Sequence, residues 1–309
     1  MPDSNGARGK HRMALVAGDA HPELARDIAG LTEAHLVPTS VSAFADGETR
    51  VRIEADVQDA DLYIVQPTSP PTNERLMTLA LIADAACAAG AARVTAIVPY
   101  FGYARQDVRK STGEPRSARL AARLLRVAGI DRLVALELHS PALESAFEMP
   151  LIHLQADELT LPVIRSWGIR DLVIVSPDAG GLKRAQRYAS ALQASLAVVA
   201  KGRPHPDIAV PLQVLGEVSG RTCLIVDDMA STGGTIVGAA EALLDAGAKE
   251  IHALFIHAVI SAGALERIAR SVHRIVTTGS VPSAPHPRLE VISIAPLLAR
   301  SLIRLSGEA

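Results

Sequence analysis

The sequence predicts an α/β protein of two domains, each a mostly parallel sheet with flanking helices, and three observations lead there. Short runs rich in Val, Ile and Leu alternate along the chain with Ala- and Leu-rich segments of helical spacing, the pattern of successive strand–helix units. The chain has 309 residues, enough for two domains with a core each, and is 49% hydrophobic but only 3% aromatic. The core must therefore be built from Ala, Val, Leu and Ile, which suits parallel strands covered by Ala-rich helices. The two halves also echo one another. Ala89-Gly90-Ala91 leads through Arg93 into the apolar run 94–98, and Ala246-Gly247-Ala248 leads through Lys249 into 251–256. A helix ending on glycine explains each occurrence alone; the matching context points to internal duplication of one unit. The domains are expected at 13–150 and 151–309, after a polar tail, 1–12, expected to be disordered.

In the first half, 13–17 opens as a strand, and His21-Pro22-Glu23-Leu24 starts a helix to Leu31, with Pro in the first turn. Residues 35–41 are extended; Phe44-Ala45-Asp46-Gly47-Glu48 is a turn, and 51–53 alternates like a hairpin arm. Strand 62–66 is followed by a Pro/Ser/Thr loop, with Asn73 as the expected cap of a helix to Ala89, then strand 94–99. Residues 101–115 lack apolar periodicity and carry both charge signs, which reads as a long mobile loop, a length usually retained for function. Helix 118–127 and strand 133–138 complete this half. In the second, helix 156–167, strand 172–176, helix 180–192 and strand 196–200 lead to a hairpin arm at 209–215. Strand 224–228, helix 236–246, strand 251–257, helix 262–272 and strand 275–278 follow, and the segment 289–294 and helix 296–305 close the chain.

Composition excludes several classes. The 31 basic and 33 acidic residues nearly cancel, so neither a nucleic-acid groove nor a basic membrane face is indicated. No apolar run approaches a membrane span, and Met1 to Arg12 contains no apolar signal core. Two cysteines make neither a disulfide framework nor a structural zinc site. Cys87 and Cys223 read as packed, inert thiols, and a reducing cytoplasm is the natural compartment.

The chemistry concentrates where strands end, the ligand-binding edge of open α/β sheets. An apolar run ends in Asp227 and Asp228, and Ser231, Thr232, Gly233, Gly234 and Thr235 precede a helix. Glycines let backbone N–H groups approach a phosphate, and the helix N-terminus favours its charge. The acids suit sugar hydroxyls, directly or through Mg²⁺. A bare strand–turn–helix needs neither two acids nor three hydroxyls, so a sugar-phosphate site is the better reading. The chain has no G-x-x-x-x-G-K-[ST] and no G-x-G-x-x-G, which argues against a P-loop or a dinucleotide fingerprint. Four further strand ends carry polar groups: Asp178 before Gly180-Gly181, His139 after Glu137, Lys201 and Arg203 around Gly202, and Arg105, Gln106, Asp107, Arg109 and Lys110 in the long loop. Singly these read as a cap, a surface histidine or solvated charges; together they suggest Mg²⁺ held by acids and His139, and polyphosphate met by the cations.

From Met13 to Leu305 these stretches resemble the ribose-phosphate diphosphokinases, the synthases of phosphoribosyl diphosphate (PRPP). The resemblance rests on Phe44-Ala45-Asp46-Gly47-Glu48, the block from Pro99 through Tyr103-Ala104-Arg105-Gln106-Asp107, Leu138-His139, Ser176-Pro177-Asp178-Ala179-Gly180-Gly181, Lys201-Gly202-Arg203-Pro204 and the loop from Val226 to Thr235. It implies two phosphoribosyltransferase-like (Rossmann-like) domains related by duplication, in homodimers or homohexamers whose nucleotide site is shared between subunits. It implies Mg²⁺-dependent transfer of the diphosphoryl group of ATP to the anomeric hydroxyl of ribose 5-phosphate, leaving AMP. By position, Phe44, Asp46 and Glu48 would hold adenine in a neighbouring subunit's site, and Arg105, Gln106 and Asp107 the nucleotide and its phosphates. His139 and Asp178 would bind metal, with His139 also catalytic. Lys201 and Arg203 would stabilise the transferring group; Asp227 and Asp228 would take ribose hydroxyls, and Ser231 through Thr235 the 5-phosphate.

Three departures bear on regulation and rate. Ser111, Thr112 and Gly113 stand where the family often has cations, Glu137 where it usually has Asp, and the chain ends soon after Leu305, so ADP allostery is expected to be weak or absent. Two other readings compete: a non-catalytic or regulatory paralogue, kept alive by the thinned loop and Glu137, and a phosphoribosyltransferase, which needs only one domain.

Overall fold

The computed structural model describes residues 12–201 and 212–307. Their contacts divide them into two units: residues up to Leu154 joined by the C-terminal segment from Ile294, and Gln155–Ser293.

In the first unit β1 (Met13–Ala17), α1 (Pro22–Leu31) and β2 (His35–Val37) are followed by β3 (Thr39–Ala43) and β4 (Thr49–Ile53). Then come β5 (Asp61–Val65), α2 (Thr72–Ala88), β6 (Arg93–Val98), α3 (Ser117–Val127), β7 (Arg132–Leu136) and β8 (Leu151–Leu154). The sheet runs β2-β1-β5-β6-β7-β8 with every neighbouring pair parallel. β5 is buried along its whole length, which is why it reads as a continuous apolar run instead of an alternating one. Pro38 separates β2 from β3. Proline has no N–H for a ladder, and the chain leaves the sheet there so that β3 pairs antiparallel with β4 as a separate ribbon.

The second unit contains α4 (Asp157–Ser166), β9 (Leu172–Ser176), α5 (Leu182–Leu192), β10 (Ser195–Lys201) and β11 (Leu212–Leu215). β12 (Thr222–Ala230), α6 (Gly234–Asp245), β13 (Glu250–Ala258), α7 (Ala264–Ser271), β14 (Arg274–Thr278) and β15 (Leu289–Ile292) complete it. Its sheet runs β11-β10-β9-β12-β13-β14-β15, with only β11 antiparallel to its neighbour. With β11 and the β3–β4 ribbon set aside, both sheets follow one order: second strand, first, third, fourth, fifth, sixth. That shared order matches duplication of a doubly wound unit. In such sheets the ligand crevice opens where the order reverses, between the first and third strands; here that is β1/β5 and β9/β12.

Several sequence expectations meet a different local structure. The four-residue β8 and the 3-10 turn Pro141–Ala146 before it carry too short a period to be read in advance. β8 completes the first sheet, so the contacts divide after Leu154 where the sequence suggested 150. The last helix, α8 (Ala295–Gly307), packs against α1 and so joins the first unit. Its apolar stripe of Leu298, Leu302 and Leu305 is buried there. Asn73 lies inside α2; Pro71 holds the cap position without a side-chain bond. Cys87, read as packed, is exposed, whereas Cys223 is buried as expected. Among the described residues no helix is long and apolar enough to cross a membrane.

Candidate active site

At the β9/β12 switch point of the second unit, β12 continues two residues beyond its acids to Ala230. Asp227 and Asp228 are adjacent and nearly buried, with side-chain exposures of 14% and 9%. Arg184, from α5 on the neighbouring strand connection, places one guanidinium nitrogen 3.7 Å from a carboxylate oxygen of each. Burial first, and then the charge of Asp228, pushes the Asp227 carboxyl up to about 8, with Arg184 opposing. The unliganded pair therefore tends to keep a proton near neutral pH until a ligand satisfies both acids.

The loop after β12 is held from α7's side. The N–H of Ser261 donates to the Ser231 carbonyl at 3.1 Å, and an Arg267 guanidinium nitrogen donates to the Thr232 carbonyl at 2.7 Å. Gly233 has φ +79, and a Cβ there would stand 2.9 Å from Cγ1 of Ile268. Only glycine lets the loop close this tightly while α6 begins at Gly234. With its carbonyls tied to Ser261 and Arg267, the loop is left to meet a ligand through N–H and hydroxyl donors, as an anion requires. After β9, the sheet neighbour of β12, Oδ1 of Asp178 accepts the Gly181 N–H at 2.9 Å, and the Ser176 hydroxyl donates to the Asp178 carbonyl at 2.7 Å. Asp178 thus caps the turn through Oδ1. Lys201 closes β10 beside Leu212; its side chain, and the whole of Arg203, lie outside the described residues.

In the first unit Tyr100, Tyr103, Arg105, Gln106, Lys110 and His139 line an open cavity of about 550 Å³. The backbone between Tyr100 and Tyr103 is tightly specified. The Gly102 N–H donates to the Thr68 hydroxyl at 2.6 Å, and a Cβ on Gly102 would lie 2.5 Å from Cγ2 of Thr72 and 2.6 Å from the Thr68 carbonyl oxygen. Tyr103 adopts φ +65, and its hydroxyl donates to Asn73 of α2. Gln106 does double duty: it lines the cavity while its side-chain oxygen accepts from the Ser117 hydroxyl at 2.6 Å, at the start of α3. Asp107 accepts a hydrogen bond from Ser140, next to His139. Further along, Glu114 accepts the N–H groups of Lys110 at 2.8 Å and Ser111 at 3.2 Å, and these bonds lower its carboxyl. Phe44, Asp46 and Glu48 share the tip of the β3–β4 ribbon, apart from the cavity lining. Phe44 is 51% exposed under the Arg50 guanidinium, and Asp46 accepts the Glu48 N–H at 3.1 Å.

Two models of known domains match this chain. One, the N-terminal domain of ribose phosphate pyrophosphokinase, covers residues 13–129; the other, a phosphoribosyl transferase domain, covers 145–277. The Bacillus subtilis (strain 168) ribose-phosphate pyrophosphokinase is 38% identical over 301 residues, 96% of this chain and 95% of its own.

This chain belongs to the ribose-phosphate pyrophosphokinase family.

A second relative of that name, from Maricaulis maris (strain MCS10), is 40% identical over 302 residues, 96% of this chain and 97% of its own. The crystal structure of phosphoribosylpyrophosphate synthetase from Mycobacterium smegmatis superposes with a TM-score of 0.91 at 36% identity, over 96% of this chain and all of that one. Within this pyrophosphokinase fold the transferase match contains Asp178 and the Asp227–Thr235 loop, and the N-terminal match contains the ribbon tip and Arg105 to Asp107. His139 falls between the two matched regions. Sequence reasoning missed Arg184, although a signal was present. The buried face of α5 is Arg184, Ala185, Tyr188 and Ala189, and an arginine on an apolar stripe calls for an anionic partner. It also missed Tyr103 as an anchor, because a left-handed tyrosine has no sequence signature.

Proposed function

We propose that this pyrophosphokinase transfers the diphosphoryl group of ATP to the anomeric hydroxyl of ribose 5-phosphate, giving PRPP and AMP. The observation that carries the reading is the Asp227–Asp228–Arg184 cluster beside a donor-rich loop at a switch point, on a chain that also holds a basic, tyrosine-lined cavity. The acids accept hydrogen bonds from the ribose 2- and 3-hydroxyls, and Ser231, Thr232, Gly233, Gly234 and Thr235 take the 5-phosphate. Arg105, Gln106 and Asp107 meet the nucleotide phosphates. Phe44, Asp46 and Glu48, which are not among the residues lining the cavity of their own unit, serve adenine in a second copy of a homodimer or homohexamer.

In the transfer the anomeric oxygen bonds to the β-phosphorus as that atom's bond to the α,β-bridging oxygen breaks; AMP carries that oxygen away, and the hydroxyl's proton passes to solvent. Such a step needs alignment and cations at the phosphoryl oxygens more than covalent help from the protein, and Lys201 and Arg203 are assigned there. Mg²⁺ fits the donor set. Among the described residues no three His, Cys, Asp or Glu side chains form a metal cage, and an ion that keeps its waters and rides on substrate phosphates needs only one or two protein ligands. The resemblance assigns His139 and Asp178 to metal, each as one such ligand, and a bound ion would neutralise charge on the phosphates. Two free cysteines suit a reducing, cytoplasmic setting.

The test is direct: the purified chain with ATP, ribose 5-phosphate and Mg²⁺ should form AMP and PRPP in equal amounts. AMP that appears without ribose 5-phosphate, or no AMP at any phosphate concentration, sinks the proposal.

A further inference from the structure

We infer that His153, locked by Glu144, is the positioning residue for the turn that presents His139; this rests on the diphosphokinase reading above. The case begins at the end of β7. The Glu137 N–H still donates to the Leu154 carbonyl of β8 at 2.8 Å, but Glu137 itself has φ +43 and the chain leaves the strand. The next N–H, on Leu138, belongs to a residue only 5% exposed, where a backbone donor must be matched. It donates to Nε2 of His153 at 2.9 Å. A ring nitrogen that accepts carries no proton, so the proton of a neutral His153 sits on Nδ1. Nδ1 lies 2.7 Å from Oε1 of Glu144, which accepts it.

Glu144 belongs to the 3-10 turn Pro141–Ala146, on the far side of His139. One imidazole therefore ties both ends of the segment 138–144, and His139 lies inside that loop. The Ser140 hydroxyl extends the tie to Asp107 in the long loop. The left-handed Glu137 is rarely adopted by a residue with a side chain and persists only where its surroundings over-determine it. The imidazole bridge, on the very next N–H, contributes to that determination. The two bridging side chains are not fully buried: His153 keeps 20% and Glu144 50% of side-chain exposure. Its consequence is orientation, because His139 reaches the cavity from a backbone that His153 holds.

The experiment pairs kinetics with spectroscopy on the full chain. His153→Leu removes both bonds and should lower kcat about ten- to hundredfold while the ribose 5-phosphate KM moves less than about twofold. His153→Gln, whose Oε1 can take the Leu138 N–H, should recover kcat to within about threefold of the parent. A leucine variant with kcat within about twofold of the parent, or a glutamine variant as impaired as leucine, overturns the assignment. Should the leucine variant not fold, ¹⁵N imidazole correlations of the unmodified protein decide. They are assigned by the signal lost in His153→Gln, and the Nδ1–H tautomer is expected; an Nε2–H tautomer refutes it. If the parent makes no AMP, the diphosphokinase reading fails, while the tautomer still reports on the bridge.

Discussion

Replacing Arg184 by methionine isolates what the acid pair needs. The arginine is 8% exposed and lies 3.7 Å from each carboxylate, and methionine fills similar volume without charge. At an effective dielectric of 20, unit charges this close attract by about 4 kcal/mol per pair. Most of that is offset by relaxation and by the proton the pair can take up, so a net loss of ~1.4 kcal/mol, about one pKa unit, is the conservative figure. Asp227 already stands near 8 with the arginine in place, because burial and Asp228 both disfavour its charge. Without the cation it moves higher, and about tenfold fewer molecules hold both acids ionised at neutral pH. The ribose 5-phosphate KM should then rise about tenfold at pH 7. Raising the pH should close the gap, since deprotonation restores the competent form. The assay is AMP release at limiting ribose 5-phosphate from pH 7 to 9, with the ATP KM as internal control. A KM that does not change, or a deficit that stays constant across this range, would show that the arginine does not act through the acids.

Asp227→Asn should lose acceptor binding yet stabilise the fold increasingly as pH rises. The folded carboxyl is raised from 3.8 to about 8, so its contribution is complete below the unfolded value and is lost as pH climbs through that window. A gain of about 1–2 kcal/mol at pH 8 and none near pH 4, read by denaturant melts, is expected; a gain at pH 4 contradicts the sign. Gly102→Ala should destabilise by about 1–3 kcal/mol and raise the ATP KM, because the new methyl meets the Thr68 carbonyl, which cannot swing aside; a Tm equal to the parent's would refute that packing. Lys201→Ala should cut turnover by about a hundredfold with little change in either KM, and retained turnover removes the cation from its assigned role.

The β-rich runs and Ala-rich helices were legible along nearly the whole chain, because strands buried on both faces leave an apolar run that no other element explains. Asp227 through Thr235 was legible for a similar reason: two acids, three hydroxyls and two glycines at a strand end suit a ligand better than a turn. The pairing of those acids with Arg184 was not, since Arg184 and Asp227 stand 43 positions apart and only the β9/β12 adjacency brings α5 over the end of β12. Gln106 and Asp107 show the same limit. Sequence marked them as polar loop residues, whereas Ser117 and Ser140 fix where they point. His153 was invisible in a four-residue strand too short to show a period. Local composition thus determined the elements and the kinds of chemistry at their ends. Tertiary structure alone decided which ends meet, because strand order is set by long-range pairing that no local window contains, and it is pairing that turns separate charges into a site.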